Sequence, residues 1–234
     1  INLEGAGESI TVSLDEDPLA PKAHLLVSEL MVLTNAALAA WAKEHGVTLL
    51  HRTQDVAIPK EFSGIWQTPL EIARVVKALA PAVLETNPRP HAGLGEAMYA
   101  PSTSPLRRYP DMINETQIIS LLRDGKPRWS KEELDTLLPL LNAHLDAAGQ
   151  VQRFRPRYWK LLYFKQQGDR WWPAVITDEN DAFVTVNMPK EQMIVRARRQ
   201  FFGERTHPGQ ELEIRLGKVH PLQNDFQLLE TREI

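Results

Sequence analysis

Apolar residues run almost all round the stretch from about Pro21 to His45, which opens with Pro and is followed by Gly46, so the pattern predicts a long helix buried in a sizeable core. Val47 to Arg52 reads as a strand, and so does the alternating Ile10 to Leu14. Between Thr68 and Leu84 the apolar positions Ile72, Val75, Val76 and Leu79 fall on one helical face, and Asn87-Pro88-Arg89-Pro90 breaks the chain. Ser104 is placed to cap, and Pro105 to open, a helix reaching Leu122, with a bend at Pro110. Ser130-Lys131-Glu132-Glu133 is a capping box ahead of Leu134, Leu137, Leu138, Leu141 and Leu145, in a helix expected to continue, kinked at Pro156, to about Phe164.

After Gln167 the period changes from helical to alternating. Five short stretches, Trp171 to Thr177, Ala182 to Asn187, Gln192 to Arg198, Gln210 to His220 and Phe226 to Glu230, predict a small antiparallel barrel of the oligonucleotide-binding (OB) type. The expected fold class is therefore α+β, with a helix-rich domain over residues 1–167 and a five-stranded barrel over residues 168–234.

Composition narrows the chemistry. With 43% hydrophobic and 24% charged residues over 234 positions the chain has a folding composition. Zero cysteines exclude a disulfide framework, a thiolate zinc site, an iron–sulfur cluster and a cysteine nucleophile, and suit a reducing cytoplasm. No secretory signal pattern opens the chain, and Leu25 to Ala42 is interrupted by Ser28, Glu29, Thr34 and Asn35, so no membrane association is expected. The net charge of −3 is uneven: residues 101–167 carry 11 Lys and Arg against 7 Asp and Glu. Their positives group as Arg107, Arg108, Arg153, Arg155, Arg157, Lys160 and Lys165, either a phosphate track or a solvated helix face.

Glycine-rich nucleotide loops, H-E-x-x-H and G-x-S-x-G are all absent. The acidic clusters Asp15-Glu16-Asp17 and Asp178-Glu179-Asp181 lie at turns between strands, where acidic residues are common for conformational reasons.

Two stretches are more specific. Tyr99 to Asn114 reads YAPSTSPLRRYPDMIN, and Glu29 to Asn35 reads ELMVLTN. In this order they resemble the ribonuclease II/ribonuclease R (RNB) family of 3′ to 5′ exoribonucleases, in which a Y-x-x-x-T-S-P-[IL]-R-[RK]-Y-x-D segment follows an E-x-M-x-x-A-N helix. The resemblance implies the C-terminal part of an RNB catalytic domain followed by an S1-type barrel. It further implies hydrolysis of single-stranded RNA to 5′-nucleoside monophosphates by a monomeric enzyme. The family's magnesium ion is held by an aspartate-rich motif in the first half of the catalytic domain. No Asp set here matches that motif, so the ligands are expected on a preceding N-terminal half, on the same or a cleaved chain, and the fragment alone is expected to be inactive.

Arg107 matches the family's essential arginine, and a planar guanidinium suits the charge that develops on a scissile phosphate. The resemblance places Glu29, Asn35, Arg52, Tyr99, Thr103, Ser104, Arg108 and Tyr109 along the RNA path. For Asn35, structural hydrogen bonding is an equal alternative; for Tyr99 and Tyr109 it is core packing, and for Ser104 a helix cap. In the barrel, Phe183 is the candidate for base stacking, with Trp171, Trp172, Phe201 and Phe202 as alternatives of which half must be core, and Arg196 and Arg198 on one face of the third strand extend the track. The chain also departs from the pattern: Asn114-Glu115-Thr116 stands where relatives have a His-Arg pair, Gln54 replaces a His, and Arg153 to Tyr158 is basic where an acidic residue is expected. The alternatives are a non-catalytic RNA-binding relative or a protein-interaction module.

Overall fold

The computed structural model describes residues 1–14, 21–55, 68–203 and 205–234; Asp15, Glu16 and Asp17 lie outside the described residues. The chain divides into two compact units, one of Ile1–Pro18, Gly64–Val76 and Ala147–Ile234, the other of Leu19–Ser63 and Lys77–Asp146.

In the second unit, α1 (Pro21–Glu44) ends as expected, with Gly46 at φ 68 just beyond it. Its burial differs from expectation. Ala39, Ala42, Val47, Leu49 and Ala100 form a core, but Leu25, Leu26, Val27, Leu30 and Leu33 are exposed, because among the described residues nothing packs over the helix's first half. The strand β3 (His51–Thr53) is shorter than the sequence suggested and pairs antiparallel with β4 (Val83–Glu85). The helix expected to reach Leu84 is α2 (Pro69–Ala78), whose residues up to Val76 belong to the first unit and which stops where Pro81 disfavours helical geometry at the residue before it.

The third helix is also corrected at its start. It runs as α3 (Tyr109–Asp124), with Pro110 in its first turn, where a missing N–H costs nothing, so Pro110 opens the helix rather than bending it. Ser104 does not cap it; the N-cap position is Arg108. The capping box at Ser130 is present, the Ser130 amide donating to Glu133 Oε2 at 2.8 Å and the Glu133 amide to Ser130 Oγ at 3.2 Å. It starts α4 (Lys131–Gln167), a single helix that continues through Pro156.

In the first unit, β1 (Asn2–Glu4) pairs with β2 (Thr11–Ser13). The strands β5 (Trp171–Glu179), β6 (Phe183–Met188), β7 (Met193–Arg198), β8 (Glu211–His220) and β9 (Asp225–Glu233) form one antiparallel sheet in the order β7-β6-β5-β8-β9. This is the strand order of an OB barrel left open between β7 and β9. Alternation decides the core: Val184, Val186, Met188, Met193 and Val195 point inward with Trp172, Ile176 and Ile214. Full burial of each such aliphatic side chain is worth about 2 kcal/mol. Leu161 and Phe164 of α4 belong to the same core, so the end of the helix plugs the sheet.

Helix α4 is held there by two cations. Arg157 Nε donates to Asn224 Oδ1 at 2.5 Å, and Lys160 Nζ to the Gln192 carbonyl at 2.6 Å. Asn224 and Gln192 are, among the described residues, the two non-glycine residues with positive φ. Two members of the expected phosphate track are thus structural clamps on strained hairpin turns, while Arg153 and Arg155 remain exposed.

Candidate RNA-binding site

The segment from Tyr99 to Arg108 has no regular structure of its own, so its shape depends on side chains that reach it from the helices. Asn35 on α1 is buried; its Nδ2 donates to the Tyr99 hydroxyl at 2.8 Å and to Thr103 Oγ1 at 3.4 Å, while its Oδ1 accepts from the Ser102 amide at 2.8 Å. Asn114 on α3 accepts from the Leu50 amide at 2.7 Å and donates to the carbonyls of Leu50 and Pro101, each at 2.9 Å. Asp111 Oδ1 accepts from the Ser104 amide at 2.9 Å and from Arg108 at 2.7 Å. A buried amide or carboxylate stays in a core only when its hydrogen bonds are made, so each of these residues fixes the segment at a defined point.

Between the pins lies a tight turn. The amides of Arg107 and Arg108 both donate to the Ser104 carbonyl, at 3.2 and 3.0 Å, and Leu106 at the apex is fully exposed. Arg107 is exposed and its guanidinium has no partner among the described residues, whereas that of Arg108 is engaged by Asp111 and by Thr103 Oγ1 at 3.4 Å. The Arg52 amide donates to the Tyr99 carbonyl at 2.8 Å, leaving the Arg52 side chain exposed beside the same segment.

Of the residues singled out from the sequence, Asn35, Tyr99, Thr103, Ser104 and Arg108 form one bonded set, and Arg52 joins it through the backbone. Tyr109 and Arg107 are exposed next to it. Glu29 is also exposed, although the sequence pattern predicts that the helix carrying it is buried. Sequence reasoning missed Asp111 as a pin and took Asn114 only as a departure. Both belong to a stripe with Gln117, which bonds Thr48 and Trp129; the three-residue spacing 111, 114, 117 was the available signal. Gln54, noted as replacing a histidine, is a staple: its Nε2 donates to the Ala80 carbonyl at 2.6 Å and its Oε1 accepts from Gly93 at 2.9 Å.

Two histidines, His51 and His91, are buried. His51 Nδ1 and His91 Nδ1 have no partner among the described residues, and the His91 ring meets Tyr99 edge-on at 5.7 Å. Burial pushes the His51 imidazole down to about 4, against a weaker opposing pull from Glu85. His91 is likewise lowered, by burial and by Arg52.

In the other unit, Arg196 lies over the half-buried Phe183 ring at 4.4 Å, a cation–π contact. With Arg198, Phe201 and Phe226 they line an open groove of about 300 Å³. Of the other barrel aromatics, Trp172 and Phe202 are core, and Trp171 lies under Arg232 at 4.3 Å.

Among the described residues no three His, Asp or Glu side chains converge on a common point. Of the acidic turn at Asp178, Glu179 is bonded to Arg199 at 3.2 Å.

An RNB domain model matches residues 8–124, half of the chain, including both helices and the turn just described. The chain belongs to the RNB family. This RNB chain is 26% identical over 219 residues to the chloroplastic/mitochondrial ribonuclease II of Arabidopsis thaliana, over 90% of this chain and 26% of that protein. Its fold matches an active-site mutant of the Dss1 exoribonuclease of Candida glabrata, with a TM-score of 0.77 and 24% identity over 88% of this chain and 28% of that one. It also matches Mycoplasma genitalium RNase R in complex with ribose-methylated single-stranded RNA, with a TM-score of 0.70 and 16% identity over 94% and 43% of the two chains. The RNB chain spans about a third or less of the length of the curated relatives it matches.

Proposed function

We propose that this RNB chain is the C-terminal part of a 3′ to 5′ exoribonuclease that hydrolyses single-stranded RNA to 5′-nucleoside monophosphates. Residues 1–167 would complete the catalytic domain and residues 168–234 form an S1-type RNA-binding barrel. The observation that carries the reading is Arg107: an exposed guanidinium with no partner among the described residues, on a turn whose Ser104 amide and Arg108 side chain are held by Asp111. A preorganised donor of this kind stabilises charge that develops on a phosphate without reorganising at the moment of reaction. Arg52, Tyr109, Arg196 and Arg198, all exposed, and the half-buried Phe183 supply cations and rings for backbone and base contacts, which accounts for a sequence-tolerant grip. Asn35, Tyr99, Thr103 and Ser104 shape the turn, and Glu29 is assigned to the bound 3′ end on the family pattern alone.

In this reading magnesium, held by carboxylates on an N-terminal half outside this chain, supplies activation of water; the residues described here bind and orient the RNA. The same half would cover the exposed apolar faces of α1 (Leu25, Leu26, Leu30 and Leu33) and of α3 (Met112, Ile119 and Leu122). Faces of that extent rarely stay open to water. The cysteine-free chain suits the reducing cytoplasm.

The test is single-turnover hydrolysis of a 3′-labelled single strand by the full RNA-degrading form of the protein, with Arg107→Ala expected to abolish turnover while RNA affinity falls only a few-fold. Unchanged turnover would overturn the reading. A second reading, an RNA-binding relative without catalysis, is favoured by the basic run at Arg153 to Arg157, where the family pattern has an acidic residue. Binding without hydrolysis in the presence of magnesium would support it.

A further inference from the structure

Adjacent arginines on one turn are easily read as a joint phosphate clamp. The geometry separates them. Arg108 Nε and a terminal nitrogen both donate to a single oxygen, Asp111 Oδ1, at 3.1 and 2.7 Å, and the same terminal nitrogen reaches Thr103 Oγ1 at 3.4 Å. Asp111 is almost fully buried, with a side chain only 1% exposed, and that one oxygen also accepts from the Ser104 amide at 2.9 Å. The other oxygen, Oδ2, has no partner among the described residues. A buried carboxylate with one idle oxygen depends on its paired cation for compensation, so Arg108 cannot leave for a ligand without exposing an unpaired charge to the core. Arg107, one residue earlier, has no such tie among the described residues.

We propose that Asp111 is a positioning residue that commits Arg108 to the fold and holds the Ser104–Arg108 turn so that Arg107 alone of the pair meets the RNA phosphate. Through Thr103, which Asn35 also bonds at 3.4 Å, the pin on α3 is joined to the pin on α1. The turn is therefore braced at both ends by helices, and next to its apex stands the Arg107 guanidinium, which has no partner among the described residues. This rests on the role given to Arg107 above.

Two measurements separate the proposal from that role. In guanidinium-detected NMR of this chain without RNA, the Arg108 Nε–H is expected to exchange slowly with water and the Arg107 Nε–H quickly, and Asp111→Asn should make the two alike. Equal exchange in the unmodified protein would overturn the proposal whatever the enzyme does. In the full RNA-degrading form, D111N should lower kcat on the order of tenfold to a hundredfold, the scale of a misplaced reacting group, with KM and melting midpoint near those of the unmodified enzyme. Arg108→Lys, which keeps a cation for Asp111, should retain most of kcat, and Arg108→Gln should lower it. R108Q added to D111N should cost little more than D111N alone, since both remove one interaction. An unchanged kcat in D111N overturns the proposal. Should D111N fail to fold, equal kcat in R108Q and R108K does so. Full activity in Arg107→Ala would sink the exonuclease reading while leaving the exchange result standing.

Discussion

The side-chain amide of Asn35 donates to the hydroxyl of Tyr99 at 2.8 Å across 64 positions of sequence, and both residues are buried. The bond ties the last turns of a long apolar helix to the start of the segment that carries Arg107. Replacing Asn35 with Ala leaves the Tyr99 hydroxyl and the Ser102 amide without their partner in a dry environment, where each unsatisfied group costs about 1–3 kcal/mol. Asn35→Ala is therefore expected to destabilise the chain by about 3 kcal/mol in urea unfolding. A loss below 1 kcal/mol would mean that water replaces the amide and that the pin is dispensable.

His51 gives the stability a pH dependence of defined sign. Its folded pKa is lowered from 6.5 to about 4 by burial, so the unfolded chain binds the proton more readily between those values. The stabilisation from keeping the ring neutral is complete above pH 6.5 and is lost as pH falls towards 4, in all about 3 kcal/mol at 1.36 kcal/mol per pKa unit. His91 shifts in the same direction and adds to the slope. Glu85 is lowered by its bonds to Arg89 and Thr53 despite its own desolvation, so its contribution holds above the ordinary carboxylate range and is lost only in stronger acid. Urea midpoints measured from pH 7.5 to 4.5 should fall, and His51→Leu should flatten that fall. An unchanged slope in H51L would remove His51 as its source.

How much of this was legible in the sequence follows from what periodicity encodes. The five strands of the sheet were placed within a few residues, because residues such as Val184, Val186 and Met188 alternate with exposed neighbours and a period of two admits no other structure. The capping box at Ser130 was legible because its two bonds are local. The start of α3 was not: the turn before it is made by Asp111, whose bond to the Ser104 amide reaches back from inside the helix, and Ser104 looked like a cap in its place. Nor was the burial of the Asp111, Asn114 and Gln117 stripe, since polar residues at helical spacing ordinarily face water. Here that face is the buried one, while Met112, Ile119 and Leu122 point out. Apolarity likewise said that Leu25 to Leu33 want cover, not what supplies it. The motif around Arg107 was legible as a resemblance, and the separate engagement of Arg108 only as geometry.

The basic run on α4 should split into two classes. Arg157 and Lys160 are half-buried, bonded to the hairpin turns at Asn224 and Gln192, and each has its pKa lowered by burial. Arg157→Ala or Lys160→Ala removes a charge-assisted bond and packed methylenes, and is expected to cost about 1–3 kcal/mol of stability. Arg153→Ala and Arg155→Ala, on exposed positions, should leave the melting midpoint within a degree or so of the unmodified chain. If R153A and R155A also lower RNA affinity, they belong to the track and the other two do not. Equal destabilisation by all four would dissolve the distinction.

In the barrel, Phe183 and Arg196 offer one ring with a cation already over it, in a groove open to solvent. In the proposed function a base entering that groove would stack on the half-buried ring, with its phosphate near Arg196 and Arg198. Phe183→Ala should weaken binding of a short single strand by about 1–3 kcal/mol, much the same for poly(A) and poly(U), because every base has a face to stack. Arg196→Ala should instead act through charge: the dependence of log affinity on log salt should become shallower by about 0.7, one phosphate contact on a single strand, with little change at high salt. Fluorescence anisotropy across a salt series reads both effects from the same titrations. A Phe183→Ala effect that vanishes at high salt would place the ring outside the contact, and a salt slope unchanged in Arg196→Ala would confine that arginine to shielding Phe183.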